Sequence, residues 1–438
     1  MNSPRFPGLG LVLVAALAPA PATAQQRAVS LAEAITLAQK HDPNVVQAEG
    51  DVRSAGAETR ARYGSFLPTV SAGAGGGKSR SEFQRVDPRT GQLVGANNTT
   101  TSVNLQLSAG IDLFTGFRRG AELSAARAEG DRTQAALDAR KWQTAFNTSR
   151  EFFSALQNGE LVRVRRDGIR RAEEQLAIAV ARLRTRGATV SDSLQAVVEV
   201  SQARLRLLTE ESQLAQAEAN LARAIGVPGR VSAIDDASIA IRTIAIDTAA
   251  VMTEARERSP AVIQAEASVR SAKASLSAAK AVYWPQVQLN GSTSYGGNDQ
   301  DPLAKYKLFN NRNLGLNVSI PLFNGFQREQ QVLNRSVALD VARARSTDAA
   351  HDVEAQLIGA LASLRTAQER VDVARSNLDA ARANARVQLE RYRLGTIEIE
   401  RLVQAQDRLS QAEEGAITAR FDYLRSKAQI EALIGRTL

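Results

Sequence analysis

Two stretches of this chain make the same abrupt change of pattern. Ile111–Phe117 reads IDLFTGF and Ile320–Phe326 reads IPLFNGF, 209 positions later. Before each, apolar residues recur at every second position. After each, they recur at every third or fourth for about seventy residues, so a strand hands over to a very long helix. Other pairs extend the match. HDPNVVQAE (His41–Glu49) corresponds to RSPAVIQAE (Arg258–Glu266), and FLP (Phe66–Pro68) to YWP (Tyr283–Pro285), both at a spacing of 217. AIG at Ala224–Gly226 corresponds to LIG at Leu433–Gly435, again at 209, so the first copy carries eight extra residues between its strands. The chain is a tandem duplication: repeat 1 over 25–226, a linker over 227–248 and repeat 2 over 249–438.

Each copy follows one plan. A helical stretch (Leu31–Phe66; Ala250–Tyr283) is broken near Pro43 or Pro260, because proline lacks an amide proton and disfavours helix at the preceding residue. Two strands follow, expected at about 68–77 and 101–113 in the first copy and about 285–296 and 312–322 in the second. Then comes the long helix, roughly 100 Å at 1.5 Å per residue. A glycine turn (Gly187; Gly395) leads into a return helix of about 35 residues. Ile169, Ala172, Leu176, Ala179 and Leu183 step by three and four, as do Val371, Ala374, Leu378, Ala381 and Ala385. Leu409, Ala412, Ala416, Ala419, Tyr423, Ser426, Ile430 and Leu433 continue the spacing. These are coiled-coil seams with small knobs, which let helices approach closely.

In the strands Val103, Leu105, Leu107, Ala109, Ile111 and Leu113 alternate with Asn104, Gln106, Ser108, Gly110 and Asp112. Leu314, Leu316, Val318, Ile320 and Leu322 alternate with Gly315, Asn317, Ser319 and Pro321. Such alternation fits a soluble sheet with one wet face or a strand of a membrane barrel. The length of about ten residues and the N-terminus point to the membrane. Leu9–Leu17 is a short apolar run ending in the small-x-small pattern Ala22-Thr23-Ala24, the mark of a secretory leader spanning 1–24. The chain has no cysteine, which excludes an N-terminal cysteine lipid anchor and any thiolate metal site, and its two histidines make a histidine metal centre a poor reading. The net charge is +9, but the arginines are scattered among Glu and Asp on helix faces, so solvated faces are favoured over nucleic-acid binding. No nucleophile–histidine pairing, phosphate loop or HExxH motif is present, so no enzyme and no cofactor are expected.

Two copies supply four strands. Membrane barrels begin at about eight, and an open sheet leaves edge amides unpaired in lipid. Several chains must therefore share one barrel, and three would make a 12-stranded one. The LF-x-G-F motif is the hinge: Gly116 and Gly325 permit the sharp backbone change, while Phe114 and Phe323 stand either at the lipid–water boundary or in core packing.

The paired prolines, the paired LFTGF and LFNGF, and the segment RYRLGTIEIERLVQAQDRL (Arg391–Leu409), with its looser partner RLRTRGATVSDSLQAVVEV (Arg182–Val200), resemble the outer membrane efflux protein (TolC) family over essentially all of Leu31–Gly435. The resemblance implies a homotrimer: a long α-helical coiled-coil barrel continuous with a 12-stranded transmembrane β-barrel, in the outer membrane and extending into the periplasm. It implies an exit duct for efflux or type I secretion, working with a periplasmic adaptor and an inner-membrane transporter of RND, ABC or MFS type. By motif position, Gly187, Ala188, Thr189, Gly395 and Thr396 match adaptor-contacting tips. The acidic ring of many relatives is replaced here by Gln404, leaving Asp192, Glu398, Glu400 and Arg401 as candidates for the entrance constriction; the first tip is expected to be one residue shorter than the second. The rival reading is a periplasmic coiled-coil spacer or trimeric adhesin, which has no use for four amphipathic strands.

Overall fold

The computed structural model describes residues 27–235, 247–299 and 309–438. The expected leader lies outside them. The described residues divide into two compact units, one of residues 38–147, 247–299, 309–375 and 422–438, the other of residues 27–37, 148–235 and 376–421.

The first unit carries the sheet. After α1 (Leu31–His41), helix α2 (Pro43–Gly64) starts at proline, and its cap Asp42 accepts the Asn44 amide at 2.8 Å and the Thr144 hydroxyl at 2.7 Å. Burial alone would raise the Asp42 pKa, but these bonds hold it below its ordinary value. In the second copy α5 (Thr248–Arg258) and α6 (Pro260–Lys280) break at Pro260, as the sequence predicts. Strands β2 (Thr69–Val86), β3 (Leu93–Phe114), β5 (Gln286–Asp299) and β6 (Phe309–Ser319) form one antiparallel sheet in the order β2-β3-β5-β6. The two copies join where β3 pairs with β5, Ser108 opposite Ser292 and Asn104 opposite Gly296.

Alternation continues across the pairings. One row holds Val70, Ala72, Leu105, Leu107, Leu289, Leu314 and Leu316, ending in Lys78 and Arg312; the other holds Ser71, Ser108, Gln106, Asn290, Ser292 and Asn313. Gly110 leaves room for its neighbour: a Cβ there would lie 2.9 Å from the Asn290 Oδ1, and that side chain would have to swing aside. The first hairpin runs well past the expected 68–77 and 101–113, because the eight extra residues extend it as a two-stranded ribbon through the Val86–Leu93 pair. Its Gly- and Ser-rich composition hides the alternation. β6 stops at Ser319, short of the expected 322, because Pro321 has no amide to donate. Among the described residues no helix is long and apolar enough to cross a membrane.

The second unit begins with a short parallel pair, β1 (Arg27–Val29) and β4 (Val231–Ala233), so the linker contributes a strand the sequence did not announce; 236–246 lies outside the described residues. The unit also holds α4 (Val190–Ala224), which contacts β4, and parts of α3 (Arg118–Arg184), α7 (Gln327–Arg393) and α8 (Ile399–Ile434). The long helices have 67 residues each and the return helices 35 and 36, as the periodicity predicts. Ala172, Ala179, Leu409, Ala412 and Ala419 of the predicted seams are buried, with Phe152, Phe153 and Phe421 forming an aromatic cluster.

Candidate functional site

The two helix–turn–helix tips belong to the second unit. Each turn has five residues, 185–189 and 394–398, so the first is not one residue shorter. Nor does Gly187 play the part of Gly395. The left-handed residues are Arg186 (φ 60°) and Gly395 (φ 79°). Arg186 N–H donates to Leu183 C=O (3.0 Å) and Gly187 N–H to Arg182 C=O (2.8 Å); Gly395 N–H donates to Tyr392 C=O (3.1 Å) and Thr396 N–H to Arg391 C=O (2.9 Å). These are matching Schellman caps, with an arginine where the second copy has glycine. The glycine next to Arg186 makes the two tips align one residue out of step in sequence.

Thr189 caps α4 through a reciprocal box: its hydroxyl accepts the Asp192 amide (3.2 Å) while the Asp192 carboxylate accepts the Thr189 amide (2.9 Å). Asp192 is thus engaged locally. Glu398, Glu400, Arg401 and Gln404 are exposed, on the face of the α8 start opposite buried Ile399, Leu402 and Ala405. Gly187, Thr189, Gly395 and Thr396 are exposed and Ala188 half-buried.

The turns are joined by a residue that the sequence does not single out. Arg182 donates to the Tyr392 C=O (2.8 Å) and the Gly187 C=O (2.6 Å), and its guanidinium lies 4.6 Å from the centre of the Tyr392 ring. A side chain at Gly395 would crowd it, since a Cβ there would sit 3.2 Å from the Arg182 Nη2. Tyr392 is fully buried with Ala179, Ala196, Ile399 and Leu402. Burial raises its hydroxyl pKa, and the Asp192 charge adds to the rise. An arginine on a charged helix reads as surface, so nothing in the sequence marks Arg182.

The hinges lie in the first unit. Gly116 and Phe117 (φ 61° and 65°) and Gly325 and Phe326 (φ 66° and 64°) are left-handed pairs, so each motif turns on two consecutive residues. Phe117 stacks edge-on between Phe114 (5.5 Å) and Trp284 (5.8 Å), and Phe323 meets Phe326 at 5.3 Å. Phe117, Phe323 and Phe326 are exposed in the single chain. Arg119 and Arg328 brace the two turns. Arg328 donates to the carbonyls of Pro321 (2.7 Å) and Leu322 (3.0 Å) and covers Tyr283; Arg119 donates to those of Ser65 (3.2 Å) and Leu113 (3.4 Å) and covers Phe66. Both arginines stand three residues after the hinge glycine, a repeat signal present in the sequence.

No group of carboxylates and histidines able to hold a metal occurs among the described residues. The family model described as outer membrane efflux protein matches residues 34–227 and 251–436, one copy each. The outer membrane protein TolC of Vibrio cholerae is 23% identical over 419 residues, covering 93% of this chain and 91% of that protein. Protein CyaE of Bordetella pertussis is 28% identical over 343 residues, covering 78% of this chain and 70% of that protein. A crystal structure of CusC, described in terms of transmembrane channel formation, superposes with a TM-score of 0.75 at 17% identity, over 93% of this chain and 92% of that one.

Proposed function

This chain belongs to the outer membrane efflux protein family, and on that premise we propose that it is the outer-membrane exit duct of a tripartite efflux or type I secretion system. The observation that carries the reading is the sheet. It has one apolar and one polar row, and its outermost strands β2 and β6 have no further partner among the described residues. Such a sheet is at home in lipid only as a segment of a closed barrel. Three copies would give twelve strands and no edge. Exposed apolar residues at coiled-coil spacing also await neighbours: Leu194, Val197, Leu205 and Leu208 on α4, and Val373 and Val387 on α7, with Leu394 just past its end. A second copy supplies both needs. A periplasmic spacer would need none of this sheet.

In this reading the protein lies in the outer membrane and reaches into the periplasm. The tips at Gly187, Ala188, Thr189, Gly395 and Thr396 meet a periplasmic adaptor, which links them to an inner-membrane transporter. Glu398, Glu400, Arg401 and Gln404 are the tip groups free to face the passage, while Asp192 shapes the tip through its cap. The family description supports efflux as the first route, with polypeptide secretion as the second. Deletion of the gene in its host tests the reading. Sensitisation to toxic compounds, or retention of a secreted polypeptide, supports it and tells the two routes apart; a strain unchanged in both counts against it.

A further inference from the structure

We propose that Asp112 is the charge-selecting residue of the membrane passage, in three copies per assembly. The proposal rests on the reading of the sheet as one third of a barrel with its polar row inside. That row can be followed strand by strand through the pairings. β2 contributes Thr69, Ser71, Gly73, Gly75 and Gly77; β3 contributes Ser102, Asn104, Gln106, Ser108, Gly110 and Asp112. β5 contributes Gln288, Asn290, Ser292, Ser294 and Gly296, facing Asn317, Gly315, Asn313, Asn311 and Phe309 of β6.

Where the four strands pair, the wall is hydroxyls, carboxamides, glycine and one phenylalanine, and Asp112 is its one charge among the described residues. Neighbouring wall groups are committed to each other: Ser71 and Ser108 hydroxyls lie 2.7 Å apart, the Thr69 hydroxyl donates to the Gly110 C=O at 3.2 Å, and the Asn290 amide donates to the Gln288 Oε1 at 3.4 Å. Asp112 is half-exposed opposite Gln288, at the hinge end of the wall, and is in no ion pair among the described residues. The adjoining cation, Arg119, is spent on the carbonyls of Ser65 and Leu113 and on the Phe66 ring.

The duplication sharpens the point. Pro321 occupies the equivalent position of the second copy, so the assembly has three acidic groups at this level and not six. Within the sheet-lined part of the passage, an uncharged, hydrogen-bonding wall passes solutes by size and leaves charge discrimination to one anionic ring, whose three carboxylates sum their fields on a cation at the axis. A chain of net charge +9 thus carries a cation-attracting ring.

Planar-bilayer recording on the purified assembly tests this, with hexaamminecobalt(III) added to the chamber facing the hairpin ends, so that the blocker meets the sheet before the tips. The expected result is block of the wild type, a half-blocking concentration raised about tenfold in Asp112→Asn by loss of three charges, and stronger block in Pro321→Asp, which doubles the ring. Pro321→Asp keeps the carbonyl that Arg328 binds. A conducting pore that is not blocked, or that is blocked equally in Asp112→Asn, overturns the role of Asp112 and leaves the channel reading standing. A folded assembly that does not conduct overturns the channel reading itself, and the proposal with it.

Discussion

A left-handed backbone costs a residue with a Cβ roughly 1–2 kcal/mol and costs glycine almost nothing. Arg186 bears that cost at φ 60°, where the second copy has Gly395. Arg186→Gly is therefore expected to stabilise the protein by about 1 kcal/mol, seen as a raised thermal midpoint. Gly187→Ala is expected to be nearly neutral, since a Cβ there meets only ordinary contacts at 3.6 Å. Were Gly187 the true counterpart of Gly395, the order would be reversed. The hinge glycines make a second contrast. A Cβ on Gly116 would lie 2.1 Å from the Trp284 Cβ, whereas one on Gly325 meets nothing within 4 Å. Gly325→Ala should cost about 1 kcal/mol of backbone strain, while Gly116→Ala should cost well over that and be eased by Trp284→Gly, as denaturant midpoints of the single and double variants would show.

Between elements, Arg182 holds one turn to the other with two hydrogen bonds and a ring contact. Its partly exposed position limits the loss on Arg182→Ala to about 1–2 kcal/mol. Trypsin should then cut after Arg184 and Arg186 roughly tenfold faster, because local opening sets the cleavage rate. Arg182→Lys keeps the charge without the fork and should not restore protection. A second inter-helix contact responds to pH. Glu210 of α4 is buried, with Arg165 of α3 3.5 Å away; the same arginine binds Glu414 of α8, whose charge also bears on Glu210. Burial raises the Glu210 pKa against the pull of Arg165. A raised carboxylate favours folding below its ordinary range, and that advantage is lost as pH rises through the folded value. Glu210→Gln should accordingly gain in melting temperature relative to wild type between pH 4.5 and pH 8, with the two converging at the acid end. The long helices were legible because residues such as Leu409, Ala412 and Ala419 repeat a three–four spacing that burial follows. Arg182 and Glu210 were not, since a charged residue on a charged helix carries no mark of what it will touch. Arg119 and Arg328 carried a mark, their equal distance from the hinge glycines, which the phenylalanines overshadowed.

At the scale of the molecule, the duplication, the hinge positions and the four strands were all readable from the chain. The ends of the strands were not: the Gly-rich run through Gly77 and the charged, Asn- and Thr-bearing ribbon beyond Lys78 hide the alternation, and Pro321 ends β6 by removing an amide. The observed sheet is an unfinished surface. Strands β2 and β6 are its outermost members, nearly every residue of each is exposed, and the apolar rows of α4 and α7 are likewise bare. On the proposed reading one chain cannot seal this against lipid, and three copies sharing a barrel would. Native mass spectrometry of the detergent-solubilised protein is the decisive measurement. A single species of three times the mature chain mass is expected, persisting until the detergent is made denaturing; a folded monomer as the stable species would contradict a barrel shared between chains.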